Sequence, residues 1–274
     1  MRIYGSSVLV TGGTSGIGLA CAEVFAAACY EVFAASRGAS GEVRRFDGGG
    51  CILPVRMDVC DEDSVSAAAQ GILSRAKDLG VVIHCAGMGI AGAAEDTPDG
   101  AAHLQMETNY FGVLRVNRYI MPRFRSRGGG LCLITGSVAG LLAIPFQSHY
   151  SSSKFALEAY AEALRSESRR FGIRVALIEP GDTKTGFTAA RKYTIAEDSP
   201  YYRTCMASVS KMEHDEQNGR SPRETARIAL RLGECRNPPV RVVVGFEYKV
   251  MVFLRRLLPH RLINYVIGLM YVPR

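Results

Sequence analysis

Seven short runs of apolar and β-branched residues alternate with amphipathic segments along most of this chain. The runs read SVLVTG, EVFAAS, CILPV, VVIHCA, LCLIT, RVALIEP and VRVVVG, and most are apolar at consecutive positions rather than at every second one. Strands with this pattern are covered on both faces. The alternation therefore predicts an α/β fold of the Rossmann-like, doubly wound type, with about seven parallel strands and helices on both faces.

The length of 274 residues fits one domain of this class. We predict a single unit over residues 1–274, with a helical extension at 245–274. Between 183 and 219 the periodicity fades, and we expect an irregular segment there that acts as a lid over a site. Ser221 is a candidate helix cap, Glu224 would complete a capping box, and Gly233 would end that helix.

Charge and cysteine patterns exclude several classes of protein. The net charge is +7, but the Lys and Arg residues are scattered and no nucleic-acid-binding motif occurs, so we expect no nucleic-acid partner. The eight cysteines form no CxxC pair and no zinc-like spacing with His, so we expect no metal and a reducing, cytoplasmic setting. The N-terminus lacks the apolar segment of a signal peptide, and no run reaches the roughly 18 apolar residues of a membrane span.

A glycine-rich turn, TGGTSGIG, follows the first predicted strand directly and opens the first predicted helix. Glycines have no Cβ, so they let the chain turn sharply and let backbone amides approach a pyrophosphate at the N-terminus of the helix. This context predicts a dinucleotide-binding loop formed by Gly12, Thr14, Ser15, Gly16, Ile17 and Gly18.

The second predicted strand ends in Ser36 and Arg37. Sites for NAD place an acid near this position to bind the ribose 2′-hydroxyl. A guanidinium would instead pair with a 2′-phosphate, which an acid would repel. We therefore predict NADP(H) rather than NAD(H) as the cofactor, and a surface arginine without this role is the alternative.

Tyr150 and Lys154 lie four residues apart in the segment HYSSSKFALEAY, so a helix would place them on one face. An ammonium group near a phenol favours the phenolate, which would prepare Tyr150 for proton transfer. The polar stripe of an ordinary amphipathic helix could carry the same pair, so the spacing alone does not define a site.

The ordered set of motifs between Gly12 and Thr185 resembles the short-chain dehydrogenase/reductase family. The matching pieces are TGGTSGIG, DV, CAG, TNYFG, ITGSVAG, YSSSK and EPGDTKT, in this order along the chain. One piece departs from the family pattern, because Cys85 stands where the family usually has an asparagine that braces the sheet beside the active site. The resemblance leaves open which group makes those hydrogen bonds here.

The resemblance implies hydride transfer between a nicotinamide dinucleotide and an alcohol or ketone. Tyr150 would be the general acid/base, and Ser137 would bind the substrate oxygen. Lys154 would lower the pKa of Tyr150 together with the oxidised nicotinamide, and Asn109 would anchor a water that links Lys154 to solvent. The family's cofactor contacts map onto Asp58, Val59, Ala86, Gly87, Asn109, Tyr150, Lys154, Pro180, Gly181, Thr183 and Thr185.

The segment from Gly136 to Glu167 is most similar to the 17β-hydroxysteroid dehydrogenase-like branch, which includes retinol and acyl-dihydroxyacetone-phosphate reductases. We expect the run LLAIPF at 141–146 to form an apolar wall beside the reacting carbon, which favours a steroid- or lipid-like substrate. Packing of the helix start is the alternative for this run. Reduction of a 3-ketoacyl thioester and a non-catalytic dinucleotide sensor are the alternative functions, and we expect a homodimer or homotetramer.

The tail FEYKVMVFLRRLLPHRLINYVIGLMYVPR is apolar but carries charges that exclude a membrane-spanning helix. We predict two short helices broken at Pro259, packed over the substrate cleft or against a neighbouring subunit. The alternative is a peripheral contact in which the basic and apolar faces of the tail lie on an anionic membrane surface.

Overall fold

The computed structural model describes residues 2–272, so Met1, Pro273 and Arg274, at the ends of the predicted domain and extension, lie outside the described residues. Its strands are β1 Ser7–Thr11, β2 Glu31–Ser36, β3 Arg44–Arg45, β4 Cys51–Arg56, β5 Leu79–His84, β6 Ile90–Ala91, β7 Gly130–Thr135, β8 Ile173–Pro180, β9 Lys192–Tyr193 and β10 Arg241–Val244. Its α-helices are α1 Gly16–Ala27, α2 Glu62–Arg75, α3 Asp99–Met106, α4 Gly112–Ser126, α5 Ser148–Ser168, α6 Tyr202–Gln217, α7 Pro222–Gly233, α8 Phe246–Leu257 and α9 His260–Tyr271.

Eight strands form one sheet in the order β10-β8-β7-β5-β1-β2-β4-β3. All neighbours are parallel except β3, a two-residue antiparallel strand at the edge. All seven predicted strands are confirmed in this sheet, and β3 is an eighth strand that the sequence did not predict. The order of the strands reverses between β1 and β5, and at such a point a crevice opens at the carboxyl ends of the strands.

Alternate side chains of each strand enter two separate apolar layers. In β1, Val8 and Val10 pack with α1 and α7, whereas Leu9 points to the opposite face and packs with α2, α4 and α5. The same division holds in β8, where Ala176 and Ile178 face the first layer. Because both faces of the sheet are covered by helices, the predicted doubly wound architecture is confirmed.

The expectation of an irregular segment over 183–219 is wrong for its second half, which is the four-turn helix α6. The sequence pattern is weak because only a narrow apolar stripe of α6 is buried, formed by Cys205, Val209 and Met212. Serine, threonine and charged residues fill the rest of the helix surface, which dilutes the helical periodicity.

The start of α7 is capped differently from the prediction. Ser221 does cap it, since its hydroxyl accepts a hydrogen bond of 3.3 Å from the backbone N–H of Arg223. Glu224 does not complete a capping box, because both of its carboxylate oxygens accept hydrogen bonds, of 2.9 and 3.0 Å, from the Arg220 guanidinium. A charge-assisted bond is stronger than one to a neutral amide. The helix ends at Gly233, as predicted.

The extension forms two helices, α8 and α9, that are separated at Pro259, as predicted. Val252 of α8 and Ile263 and Ile267 of α9 pack on Leu141 and Leu142, which follow β7. This contact fixes the helix pair beside the carboxyl ends of the strands. Within residues 2–272 no helix combines the length and apolarity that crossing a bilayer requires.

Replacement of Phe124 by alanine tests the core described above. Phe124 belongs to α4, and its ring is fully buried. The ring packs directly on Gly130, where an added Cβ would stand 2.3 Å from it. We expect Phe124→Ala to lower the free energy of unfolding by about 3–5 kcal/mol in urea denaturation, because it leaves a large cavity. Phe246→Ala, at a position that is 76% exposed, is the control and should change it by less than about 0.5 kcal/mol. Equal effects of the two substitutions would contradict this packing.

Candidate active site

The glycine-rich turn between β1 and α1 has a backbone that only glycine accommodates. Gly12 and Gly16 have φ values of +65° and +51°, and a Cβ on Gly18 would lie 2.1 Å from the carbonyl oxygen of Gly12. The N-cap residue Ser15 makes no side-chain cap hydrogen bond, and no acid occupies the first turn of α1. The positive end of the helix is therefore available to an anion, and the turn fits the pyrophosphate of a dinucleotide.

A cavity of about 630 Å³ opens at the reversal of strand order, beside this turn. All the predicted site residues except Asn109 line the cavity, and they come together there from seven separate segments of the chain. Those that line it are Gly12, Thr14, Ser15, Gly16, Ile17, Gly18, Ser36, Arg37, Asp58, Val59, Ala86, Gly87, Ser137, Tyr150, Lys154, Pro180, Gly181, Thr183 and Thr185.

The end of β2 forms a basic corner of the cavity. Thr14 donates a 2.8 Å hydrogen bond to the hydroxyl of Ser36, which links the glycine turn to β2. Arg37 is exposed, and no ion pair or hydrogen bond engages its side chain within the part of the chain that the structure describes. Arg56, which is also exposed, stands opposite Ser36 in the register of β2 and β4. Two guanidinium groups are thus placed beside the same strand end.

Tyr150 and Lys154 occupy the first two turns of α5 and face Ser137, which follows β7. The side chain of Ser137 lies beside the Tyr150 hydroxyl and favours its ionised form. Lys154 is buried, and its Nζ donates a 2.9 Å hydrogen bond to the carbonyl of Thr135 and lies 5.7 Å from the centroid of the Tyr150 ring. The Ser137 hydroxyl also accepts a 3.1 Å hydrogen bond from the Ala139 amide, which fixes its position.

Burial controls the protonation of this group. It raises the pKa of Tyr150 to about 12, against the opposing effect of the Ser137 hydrogen bond. It also lowers the pKa of Lys154 to about 8. In the protein alone, loss of hydration on burial dominates the pKa of Tyr150. That Lys154 and the oxidised nicotinamide together lower this pKa stays a prediction. The phenol holds its proton at neutral pH.

Asn109 lies behind the cavity wall rather than in it. It stands in a π-helical turn, Glu107–Phe111, between α3 and α4. Its amide accepts a 2.9 Å hydrogen bond from the Met88 N–H and donates to the Met88 carbonyl at 3.1 Å and to the Ser153 hydroxyl at 3.0 Å. A single π-turn of this kind commonly re-aims a side chain at a functional site. Here the Asn109 side chain joins the loop after β5 to α5.

Cys85 makes the bracing contacts that the sequence left open. Its Sγ lies 3.2 Å from the Thr135 hydroxyl, and its N–H donates to the Thr11 carbonyl at 3.1 Å. A hydrogen bond from Cys21 is the main cause that lowers the pKa of the Cys85 thiol. The ends of β1, β5 and β7 are therefore linked through a cysteine.

Two aromatic residues complete the cavity, and no sequence motif pointed to them. The Phe187 ring lies 5.7 Å from the Tyr150 ring, and a Cβ on Gly89 would collide with Phe187. Tyr248 of α8 covers Gly181, where a Cβ would stand 2.2 Å from its ring. Its hydroxyl accepts a 3.1 Å hydrogen bond from the Asp182 N–H and donates to the Asp182 carboxylate. These contacts attach α8 to the carboxyl end of β8.

A buried carboxyl pair, also unforeseen, lies on the far side of Gly136 from the cavity. Glu158 of α5 and Glu179 of β8 both contact Arg241 of β10, at 2.8 and 3.3 Å. Burial, reinforced by the neighbouring Glu158, raises the pKa of Glu179 to about 9. Glu179 therefore keeps a proton at neutral pH, and Arg241 contacts both carboxyl groups. A Cβ on Gly136 would touch both acids at 3.4 Å, so the pair supports the turn that carries Ser137.

Comparison with known proteins identifies the class. Residues 6–195 match the family model described as short chain dehydrogenase. The 3-ketodihydrosphingosine reductase of Bacteroides thetaiotaomicron is 33% identical over 270 residues, which cover 97% of this chain and 98% of that protein. The chain therefore belongs to the short-chain dehydrogenase/reductase family, and it is an oxidoreductase that acts on a CH–OH group or the corresponding carbonyl.

Solved structures agree with this fold. A short-chain dehydrogenase/reductase from Burkholderia phymatum in complex with NAD superposes with a TM-score of 0.79 at 22% identity, covering 94% of this chain and 95% of that one. A short-chain dehydrogenase from Burkholderia cenocepacia in complex with NADP gives a TM-score of 0.74 at 23% identity, covering 97% and 99%. The fold of a nicotinamide-dinucleotide enzyme thus extends over nearly the whole chain.

The raised pKa of Glu179 predicts a specific dependence of stability on pH. The folded state holds this proton more tightly than the unfolded state, so stability is highest below the ordinary carboxyl pKa and falls as the pH rises towards about 9. We expect Glu179→Gln to remove this component, which is worth up to about 1.4 kcal/mol per pH unit for one proton. Urea unfolding at several pH values between about 6 and 8 measures it.

The control is Glu162→Gln, since Glu162 is bound to the same Arg241 but is exposed. It should leave the slope of stability against pH unchanged. A parent protein and a Glu179→Gln variant with equal slopes would show that Glu179 is ionised in the folded state.

Proposed function

We propose that this protein is an NADP(H)-dependent oxidoreductase that interconverts a secondary alcohol and a ketone on a hydrophobic, steroid- or lipid-like substrate. Among these we favour a long-chain 3-keto lipid. The observation that carries the proposal is one cavity in which the hydroxyls of Ser137 and Tyr150 meet an apolar wall supplied by α8 and α9.

In the reducing direction Tyr150 donates its proton to the carbonyl oxygen, and the same group takes the proton back during oxidation. Ser137 holds the substrate oxygen by a hydrogen bond and stabilises the charge that develops on it. Lys154, anchored on the Thr135 carbonyl, would hold the cofactor ribose. Its ammonium group, 5.7 Å from the centroid of the Tyr150 ring, would favour proton release from Tyr150 together with the oxidised cofactor. The bound cofactor would supply the hydride and, in its oxidised form, a positive ring charge.

Asn109 positions these groups. Its side chain connects Met88, beside the cofactor path, to Ser153, next to Lys154 in α5. In this proposal a water held near that junction links Lys154 to solvent. Gly87 is part of the same junction, because a Cβ there would lie 3.3 Å from the amide oxygen of Asn109.

Three observations support NADP(H) over NAD(H). The strand β2 ends in Ser36 and Arg37 without an acid. Arg37 lines the cavity with its guanidinium free of any partner among residues 2–272. Arg56 adds a second cation beside Ser36. A doubly charged 2′-phosphate would be attracted to this corner, whereas a ribose hydroxyl gains little from it.

The apolar wall differs in part from the one that the sequence predicts. Leu142 and Ile144 line the cavity, but Leu141 packs beneath α8 and α9 and Phe146 packs against Ala91 and α6. The helices of the extension replace them: Met251 of α8, with Ile267 and Tyr271 of α9. Phe187 and Met212, from the segment 183–219, also line the cavity, and we propose that this segment acts as the lid.

The relative from Bacteroides thetaiotaomicron is named for the reduction of 3-ketodihydrosphingosine, a ketone on a long alkyl chain. Its similarity extends through the helices of the extension, since it covers nearly all of both chains. This supports a long-chain keto lipid as the substrate class. All eight cysteines are free thiols, and we propose that the enzyme works in the reducing cytoplasm, as a homodimer or homotetramer.

An assay of NADPH oxidation tests the proposal. We expect the highest kcat/KM with 3-ketodihydrosphingosine, and lower values with retinal, steroid ketones, acyl-dihydroxyacetone phosphate and an acetoacetyl thioester. Tyr150→Phe keeps the ring but removes the proton, so turnover should fall by several orders of magnitude while NADPH binding is nearly unchanged. Tyr201→Phe, at an exposed position, is the control.

Retention of more than about a tenth of the activity in Tyr150→Phe, about 1.4 kcal/mol of barrier, would contradict the role of Tyr150. If the thioester gave the highest kcat/KM, the substrate class would be a 3-ketoacyl thioester rather than a lipid ketone. NADPH binding without turnover of any of these substrates would favour a dinucleotide sensor.

Arg37→Asp should shift the cofactor preference from NADPH towards NADH. The substitution replaces a charge-assisted contact with repulsion of the 2′-phosphate, so binding of NADPH should weaken by a few kcal/mol, about 100-fold, while NADH is nearly unaffected. Arg45→Asp is the control, since Arg45 pairs with the amino end of β4, away from the cavity. Unchanged relative kcat/KM values for the two cofactors would show that Arg37 does not contact the phosphate.

A further inference from the structure

The helix pair α8–α9 has a second apolar face, which points away from the protein. More than half of the exposed large apolar side chains within residues 2–272 belong to residues 246–272. Phe246 is 76% exposed, Phe253 59%, Leu257 64% and Leu269 50%. Packing over the cavity does not account for these residues, because that role belongs to Val252, Ile263 and Ile267 on the inner face.

The exposed residues form continuous helical stripes. In α8 the positions 246, 250, 253 and 257 follow the spacing of one helix face, and in α9 the positions 262, 266 and 269 do the same. We call these seven side chains the outer face; they are Phe246, Val250, Phe253, Leu257, Leu262, Val266 and Leu269. An apolar area of this extent on a chain surface marks a contact with a protein or a membrane.

Basic residues accompany the outer face. Lys249, Arg255, Arg256 and Arg261 belong to the same two helices, and one acid, Glu247, is present in the described part of them. Glu247 is already bound by Arg220 at 2.8 Å. Arg255 is half-buried, with its guanidinium 5.9 Å from the centroid of the Phe155 ring, whereas Lys249, Arg256 and Arg261 are exposed. The helix pair therefore presents the positive charge of these three residues beside its apolar stripes.

This positive charge distinguishes between the two kinds of partner that an exposed apolar face could bind, a second copy of the chain and a lipid bilayer. In a symmetric contact between two copies, the same patch faces itself, so two positively charged patches would be brought together. Like charges across an interface oppose association. An anionic bilayer offers acyl chains to the apolar stripes and phosphate groups to the Arg and Lys residues.

The dimensions of the helices fit a position at the bilayer surface. Each helix has 12 residues, about 18 Å at 1.5 Å per residue, which is too short for the roughly 30 Å hydrocarbon core. Helices of this kind lie in the interface with one face among the acyl chains. We propose that the outer face of α8 and α9 docks this protein on an anionic lipid surface.

The position of the cavity gives the docking a role. The same two helices line the active-site cavity with Met251, Ile267 and Tyr271, so they separate the cavity from the outer face. A long-chain ketone dissolved in a bilayer would thus reach the cavity at the edge of the helix pair without passing through water. This role of the docking, though not the docking itself, rests on the proposed function.

Co-sedimentation of the full-length protein with vesicles tests the docking. We expect binding to vesicles of phosphatidylcholine mixed with phosphatidylglycerol, and at least tenfold weaker binding to vesicles of phosphatidylcholine alone. The variant Phe253→Ser/Leu257→Ser/Leu269→Ser should bind the mixed vesicles at least tenfold more weakly. Lys249→Gln/Arg256→Gln/Arg261→Gln should lose the preference for the anionic lipid.

A matched control is Ile3→Ser/Val43→Ser, which changes exposed apolar residues elsewhere on the surface and should bind as the parent does. Each variant is also assayed with a substrate dispersed in detergent, where turnover should stay within about twofold of the parent because no docking residue lines the cavity. Sedimentation without vesicles reports the oligomeric state of each variant.

Failure of the parent to bind mixed vesicles, or equal binding by the control and the serine triple variant, would overturn the docking. A serine triple variant that dissociates into smaller species, with no vesicle binding by the parent, would assign the outer face to a second copy instead. Binding by the parent that is lost in the triple variant supports the docking even if no ketone is turned over, in which case the proposed function alone fails.

Discussion

The contact between Gly18 and the carbonyl of Gly12 is the constraint on which the rest of the site depends. It brings the start of α1 so close to the end of β1 that no side chain fits between them. The first turn of α1 is then aimed at the point where the strand order reverses. Because the neighbouring parallel strands end at the same edge, residues far apart in the chain reach one cavity.

Around that cavity, several polar groups are held by buried contacts within the protein. Lys154 is anchored on the Thr135 carbonyl, Asn109 on Met88 and Ser153, and Cys85 on Thr135. In such surroundings charge is costly, which is why the pKa of Tyr150 is raised and that of Lys154 is lowered. The Tyr150 phenol therefore keeps its proton at neutral pH, and a cationic group beside it would favour release of that proton.

The carboxyl-terminal helices connect this chemistry to the surface. Tyr248 fixes α8 to the backbone around Gly181, at the end of β8. The inner face of the pair then closes the cavity with apolar side chains, and its outer face is left to solvent or a partner. Two opposite apolar faces on one pair of helices explain why the tail looks nearly continuous in its hydrophobicity although charges interrupt it.

The sequence by itself determined the features that depend on neighbours along the chain. Seven strands were predictable because each is a continuous apolar run, and the glycine turn and the pair Tyr150 and Lys154 were predictable because their spacing is local. The helix α6 was missed because its buried stripe is narrow.

Only the tertiary structure decided which distant groups meet. Glu179 keeps its proton because it is buried with Glu158 beside it, and Gly181 is small because Tyr248, 67 residues later in the chain, covers it. The π-helical turn places Asn109 behind the cavity wall, and the short motif around Asn109 does not reveal this position. Hydration, charge and close packing depend on distance in space, and residue spacing does not encode that distance.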